Sequence, residues 1–206
     1  MRIVFIGAGG HGKVCAEIAE LMRYRDIVFL DDNRELNACG KYKTFGMVND
    51  FLKFVDTSTS FFVSIGNAEI RRQIQERIKD AGGVIATLVH PDAVISMYAS
   101  IGAGTVIMAG TVINAGTKIG KGVIANTSSS VDHDCMVGDY CHIAVGAHLC
   151  GGVTVGEGSW IGAGAVINNN ICICSGCMVG AGAVVVKDIR EDGIYLGVPA
   201  KRKVTG

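Results

Sequence analysis

Residues 101–124 read I-G-A-G-T-V-I-M-A-G-T-V-I-N-A-G-T-K-I-G-K-G-V-I, and the aliphatics Ile101, Ile107, Ile113 and Ile119 stand six apart. The spacing runs on in both directions. Val89 and Ile95 precede it, and Ala125, Val131, Val137, Ile143, Leu149, Val155, Ile161, Ile167, Ile173 and Val179 follow, giving 16 hexads over residues 89–184 with no insertion. A second column, four residues after each aliphatic, is mostly small: Thr105, Thr111, Thr117, Ser129, Ala147, Ser159, Ala165 and Ala183. A helix repeats every 3.6 residues and a strand every two, so neither produces this rule. A solenoid of short parallel strands does, with three hexads to each triangular coil.

Composition removes several classes. Hydrophobic residues make up 49% and charged residues 18% of the 206, with 29 Gly and 2 Pro, which excludes a disordered or collagen-like chain. Nineteen Lys and Arg balance nineteen Asp and Glu, so nothing favours nucleic acid or an anionic membrane surface. No apolar run approaches membrane-spanning length and no basic segment leads an apolar one at the N-terminus, so a cytoplasmic protein is expected. The eight Cys are then reduced thiols rather than a disulfide framework. Cys172, Cys174 and Cys177 have metal-like spacing, but Cys177 shares the small-residue column with Cys135 and Cys141 while the other two occupy different slots. Packing, not a metal, is the expected use.

Residues 1–88 follow another grammar, which places a first domain at 1–88 and a second, with a short C-terminal tail, at 89–206. Ile3–Ile6 predicts a buried strand, Gly7–Gly12 a turn, and Lys13–Arg23 an amphipathic helix with Val14, Ile18, Leu21 and Met22 on its apolar side. A second strand over Ile27–Leu30 ends at Asp31 and Asp32; a third over Phe61–Ile65, a turn at Gly66-Asn67, a helix over Glu69–Lys79 and a strand over Val84–Leu88 follow. G-A-G-G-H-G at 7–12 fits the pattern G-x-G-x-x-G, whose glycines bring backbone up to a phosphate at a helix N-terminus, and Asp31 lies where a ribose-binding acid belongs. A glycine turn that merely packs helix on strand is the alternative. The second mononucleotide-binding half of an NAD fold is missing, so the motif points to a nucleotide rather than a dinucleotide. The expected fold class is α/β plus β: a small Rossmann-like parallel sheet, then a parallel β-helix.

Within the hexads, residues 126–148 carry three of the five His. His133 occupies the third slot of its hexad, which faces outward, between Asp132 and Asp134. A carboxylate on one ring nitrogen fixes the tautomer and raises the basicity of the other, which suits general-base work; a solvated surface histidine is the plain alternative.

The coils I-G-A-G-T-V, V-G-E-G-S-W, I-G-A-G-A-V and V-G-A-G-A-V resemble the hexapeptide-repeat left-handed β-helix. The left hand comes from that resemblance, because parallel crossovers in general are right-handed. G-A-G-G-H-G, F-L-D-D, S-I-G-N-A-E-I-R, S-S-x-V-D-H-D, H-I-A-V-G-A and G-V-P-A-K-R together resemble the sugar acetyltransferases that join a small nucleotide-binding domain to such a helix. These include bacillosamine-pathway and perosamine N-acetyltransferases and relatives associated with sialic acid O-acetylation. The resemblance implies acetyl-CoA-dependent N-acetylation of a nucleotide-linked amino sugar, a UDP-4-amino-4,6-dideoxy sugar foremost, with O-acetylation of sialic acid or another sugar as the alternative.

It also implies roles. His133 becomes the general base and Asp134, where the family often has Glu, the acid that orients it. His142 matches the histidine that contacts the thioester, and with Ala163 and Ala181 it forms the acetyl-CoA groove. Gly9, Gly10, His11, Asp31, Asp32 and Gly66 map onto the nucleotide-sugar site. Lys201 and Arg202 are candidates to neutralise coenzyme A phosphates; His148 has no counterpart and reads as a surface residue. Attack on the thioester is direct, so no cysteine nucleophile is needed. His133 and His142 are half a coil apart, so a homotrimer is expected to complete each site from two chains, covering outward residues around Ile107 and Met108. An NAD-dependent oxidoreductase and a non-catalytic β-helix scaffold are the rival classes.

Overall fold

The computed structural model describes residues 1–203; residues 204–206, the end of the expected second domain, lie outside the described residues. The chain divides into two compact units, Met1–Pro91 and Asp92–Gly206.

The first unit comprises β1 (Arg2–Ile6), α1 (Gly10–Leu21), β2 (Asp26–Leu30), β3 (Ala38–Cys39), β4 (Tyr42–Gly46), β5 (Thr59–Val63), α2 (Ala68–Asp80) and β6 (Val84–Ile85). The strands lie in the order β3-β4-β2-β1-β5-β6, with β1 paired in parallel to β2 and β5. Because β1 is central, its last four residues are fully buried, and Phe5 stacks on Phe29 with ring centroids 5.0 Å apart. Val4, Ile6 and Phe61 form a core cluster with Ile74 and Ile78 of α2. The carboxyl ends of β1, β2 and β5 thus open on one rim, where α1 begins.

Three expectations change here. Helix α1 starts at Gly10 rather than Lys13, with Gly9 as its N-cap. Val14 and Leu21, expected inside, are 40% and 53% exposed, and the buried face is Gly12, Cys15, Ala16, Ile18 and Ala19. Small side chains let this helix lie close to the sheet, and a periodicity weighted by large aliphatics misses them. The strand expected over Val84–Leu88 stops at Ile85, with a separate short strand at Leu88–Val89. The β3–β4 hairpin and the 3-10 turn at Val48–Phe54 carry too short an alternation to be read in advance.

The second unit is a left-handed parallel β-helix of two-residue strands. Each pairs in parallel with the strand one coil on: Val112 with Ser130 and Ser130 with His148 on one face, Lys118 with Met136 on the second, Ile124 with His142 and His142 with Trp160 on the third. The second residue of each pair points inward, so Ile113, Val131, Ile143, Leu149 and Ile161 are buried. Ile107 and Met108, expected to face outward, are buried as well, at 0% and 2% exposure. Ile107 is the inward member of its strand, and Met108 Sδ sits 3.8 Å from Thr127 Oγ1 one coil on. Exposed apolar residues of this unit include Val94, Met97, Tyr98, Met136, Val145 and Trp160 instead.

The small-residue column has a second requirement besides size. Its hydroxyls and thiols donate to carbonyls of the next coil: Thr105 to Gly120 at 2.8 Å, Thr117 to Asp132 at 2.6 Å, Ser159 to Cys174 at 3.1 Å, Cys135 to Cys150 at 3.2 Å and Cys141 to Gly156 at 3.1 Å. These five buried groups are thereby satisfied inside the prism, whereas the buried Ser129 hydroxyl of the same column has no hydrogen-bond partner among the described residues. Cys177, in the same column, is buried 3.4 Å from Cys174 Sγ, whereas Cys172 is exposed. Among the described residues no group of three or more His, Cys, Asp or Glu could hold a metal ion, and no helix is long and apolar enough to cross a membrane.

Candidate active site

The corner formed by residues 132–135 is built on four hydrogen bonds from the coil before it. Asn114 Nδ2 donates to Asp132 Oδ1 at 2.8 Å, Thr117 Oγ1 to the Asp132 carbonyl at 2.6 Å, the Asp134 N–H to the Ala115 carbonyl at 3.0 Å, and the Cys135 N–H to Thr117 Oγ1 at 3.2 Å. Asp132 Oδ1 also accepts the His133 N–H at 2.7 Å. With the backbone held at both ends, the His133 side chain projects into solvent at 60% exposure.

Asp134 stands in the slot where the chain turns left-handed, with φ +57°; the equivalent slots at 104, 110, 116 and 122 hold Gly. Asp tolerates this conformation better than most residues. It places Asp134 Oδ2 2.8 Å from His133 Nδ1, so the shorter acid reaches the imidazole as a longer Glu would. That hydrogen bond, followed by the charge of Asp132, raises the His133 pKa above its ordinary value. Asp132 itself is held low, chiefly by the Asn114 amide and then by the His133 N–H. With Asp134 accepting at Nδ1, the proton sits on that nitrogen and the lone pair on Nε2.

His142 is half-buried on another side of the prism. Its Nε2 lies 3.1 Å from Asn126 Nδ2, and its ring tilts against Trp160 with centroids 4.5 Å apart. Ala163 and Ala181 are exposed and stack on one corner, the Gly182 N–H donating to the Ala163 carbonyl at 2.8 Å. The strands carrying these groups separate them: His133 follows the Ser130–Val131 strand of one sheet, whereas His142–Ile143 leads a strand of another. Of the two tail cations, Lys201 lines a cleft of about 270 Å³ with Lys187 and Tyr195, whereas Arg202 is engaged with Glu191 Oε2 and the Asp192 carbonyl. His148 is exposed and meets Ser130 Oγ at 2.8 Å.

In the first unit, the residues expected to hold a nucleotide come together at the start of α1. Asp31 ties the rim: its Oδ2 accepts the Ala8 N–H at 2.7 Å and its Oδ1 the Asn33 N–H at 2.8 Å. Asp32 Oδ1 accepts the Val48 N–H at 2.9 Å. Gly9, Gly10 and Gly66 have nothing within 4 Å of where a Cβ would stand, so their backbones are open to a ligand. Gly66 is held by Arg71, a fully buried arginine whose Nη1 donates to the Ile65 and Gly66 carbonyls at 2.8 Å each. His11 is pushed down to a pKa of about 4 by burial and then by the Arg71 charge. It is a neutral imidazole at pH 7, able to hydrogen-bond a phosphate but not to neutralise it; the helix N-terminus supplies the positive potential.

Asn114, Asn126, Trp160 and Arg71 touch the candidate residues and were missed by sequence reasoning. For Asn114 and Trp160 the signal was present in the repeat. Residues 114 and 132, or 142 and 160, differ by one coil, so an offset of 18 finds both; Asn126 stands 16 residues before His142 and falls outside that step. Arg71 gives no such signal, since a helical arginine reads as exposed.

Residues 2–78 match the family model described as "PglD N-terminal domain". The chain is 36% identical over 111 residues to UDP-N-acetylbacillosamine N-acetyltransferase of Bacillus subtilis (strain 168), covering 52% of this chain and 51% of that protein, so it spans about half of that curated relative's length. Solved structures match far more fully. The acetyltransferase domain of PglB from Neisseria gonorrhoeae FA1090, in complex with acetyl coenzyme A, is 43% identical with a TM-score of 0.94, covering 98% of each chain. PerB from Caulobacter crescentus, in complex with CoA and GDP-perosamine, is 34% identical with a TM-score of 0.94, covering 99% of this chain and 98% of that one.

Proposed function

The chain belongs to the sugar N-acetyltransferase family that carries a PglD N-terminal domain, and from this we propose that it acetylates the amine of a nucleotide-linked amino sugar with acetyl-CoA. A UDP-4-amino-4,6-dideoxy sugar is the substrate we favour. The observation that carries the reading is the His133–Asp134 pair, 2.8 Å apart on an exposed corner, with Asp134 on Nδ1 and Nε2 left as the base.

The acceptor amine attacks the thioester carbonyl, the C–N bond forms, and His133 Nε2 takes the proton from nitrogen. Asp134 and Asp132 stabilise the imidazolium that results. A backbone N–H or His142 meets the developing oxyanion. As the C–S bond breaks, the imidazolium returns its proton to sulfur, giving the N-acetyl sugar and coenzyme A thiol. No cysteine is needed as nucleophile: Cys135 is pushed up by burial and Cys177, by burial and then by Cys174, to about 12.

The sugar nucleotide is held by the open backbones of Gly9, Gly10 and Gly66, with His11, Asp31 and Asp32 around them. Acetyl-CoA lies along His142, Ala163 and Ala181. His133 and these three occupy different sides of one prism, so we assign each site to two chains of a homotrimer. The fraction of active enzyme sedimenting as a trimer tests this, and a fully active monomer rules it out. The chemistry is tested by coenzyme A thiol release across UDP-, GDP- and CMP-linked amino sugars and free sialic acid. Turnover with a UDP-linked amine supports the reading; turnover with sialic acid alone replaces it by O-acetylation.

A further inference from the structure

We propose that Gly151 is a positioning residue for the general base: its missing side chain is the seat on which the His133 imidazole rests. The inference builds on the acetyl-transfer reading above and adds a residue that no motif assigns. Gly151 lies one coil beyond His133, and it is buried beneath the ring. A Cβ built there would stand 2.5 Å from His133 Nε2, 2.7 Å from Cε1 and 3.1 Å from Cδ2, so its three nearest atoms all belong to the imidazole.

The β-helix itself does not ask for glycine at this position. Gly151 fills the third slot of its hexad, and across the 16 hexads of residues 89–184 it is the one glycine in that slot, where Ala recurs at 103, 109, 115, 163 and 181. The left-handed turn falls one residue later, at Gly152, φ +72°. The fold therefore accepts a side chain at 151; the histidine does not. Asp134 is seated in the same way from the other side. A Cβ on Gly116, one coil earlier, would strike Asp134 Oδ1, just as one on Gly152 would strike Asn170 Oδ1. Asp134 thus packs back over a glycine like other side chains in the left-handed slot, which leaves Oδ2 for His133 Nδ1. A methyl group at 151 displaces Nε2, the atom that takes the proton, and strains its partner bond.

The test is Gly151→Ala in the full chain. Turnover number is expected to fall about 10²-fold, the cost of a misplacement near 1 Å, with the KM for acetyl-CoA and the melting temperature unchanged. In an NMR titration of the His133 Cε1–H, the raised pKa moves down toward the ordinary value of about 6.5. In a His133→Ala background the same substitution has no further effect on turnover. Unchanged turnover with an unchanged titration overturns the proposal, as does a raised acetyl-CoA KM with turnover number preserved, which would make the methyl a block to the co-substrate. Should Gly151→Ala alone not fold, the double variant decides: a folded double shows that only the imidazole stood in the way, and an unfolded one overturns the idea. If His133→Ala leaves turnover intact, the acetyl-transfer reading fails, while the titration still reports whether Gly151 seats the ring.

Discussion

The glycine turn of the first unit and the 132–135 corner of the β-helix use the absence of a side chain in different ways. At the turn, Gly9 and Gly10 leave open space, while Gly12 is closed in: a Cβ there would stand 2.6 Å from the Gly7 carbonyl oxygen and 3.1 Å from Phe29 Cε1. At the corner, the room left by Gly151 is already taken by a side chain of the same chain. One letter therefore stands for three physical situations, namely open space, room for the protein's own backbone and room for another side chain. Spacing alone cannot tell them apart, but a substitution at each can.

The largest effect is expected at the corner. His133→Ala lowers the rate of thiol release about 10² to 10⁴-fold with no change in melting temperature, since the side chain is exposed; an equal loss of stability would show that the residue is structural. Asp134→Asn comes next, with a loss of roughly tenfold in rate. It also carries a signed pH effect. The neutral imidazole is the active form and its pKa is raised chiefly by Asp134, so the acid limb of the pH–rate profile lies above the ordinary histidine value and moves down in Asp134→Asn. A limb that stays in place would remove Asp134 from its orienting role.

The turn is expected to divide in two. Gly12→Ala costs about 1–3 kcal/mol of stability through overpacking against Gly7 and Phe29, measured by denaturant unfolding. Gly9→Ala changes stability by less than about 1 kcal/mol but raises the KM for the nucleotide sugar several-fold, because the methyl occupies the open approach. Equal stability losses at the two positions would mean that the whole motif is packing. The smallest effect is Thr117→Val, about 1 kcal/mol, from the lost hydrogen bond to the Asp132 carbonyl.

The sequence spoke most clearly where a period did. Hexads from Ile101 onward specify the stacking, the inward column and the outward placement of His133 without any need for coordinates. The front unit was less legible because its helix α1 buries Cys15, Ala16 and Ala19, which carry little hydrophobic signal, and because the Ala38–Cys39 strand is too short for alternation to show. At the site, His133 and Asp134 are adjacent in sequence and were visible together. Asn114, Trp160 and Gly151 act from neighbouring coils and emerge only when the 18-residue step is applied to each candidate, whereas Asn126, 16 residues before His142, escapes even that step. Ile107 was misplaced by neglecting that same inward rule at the very column that defines it, and Met108, just after the strand, by overlooking its packing against Thr127.

The account stands or falls on His133 as the base for acetyl transfer to an amine. The direct measurement is steady-state coenzyme A release from acetyl-CoA with a UDP-linked 4-amino sugar, followed across pH for the unmodified chain and His133→Ala. The account predicts acceptor-dependent release with an acid limb above pH 6.5, and in the variant a rate lower by about 10² to 10⁴ with that limb gone. Release at the same rate and with the same profile in both proteins would contradict it.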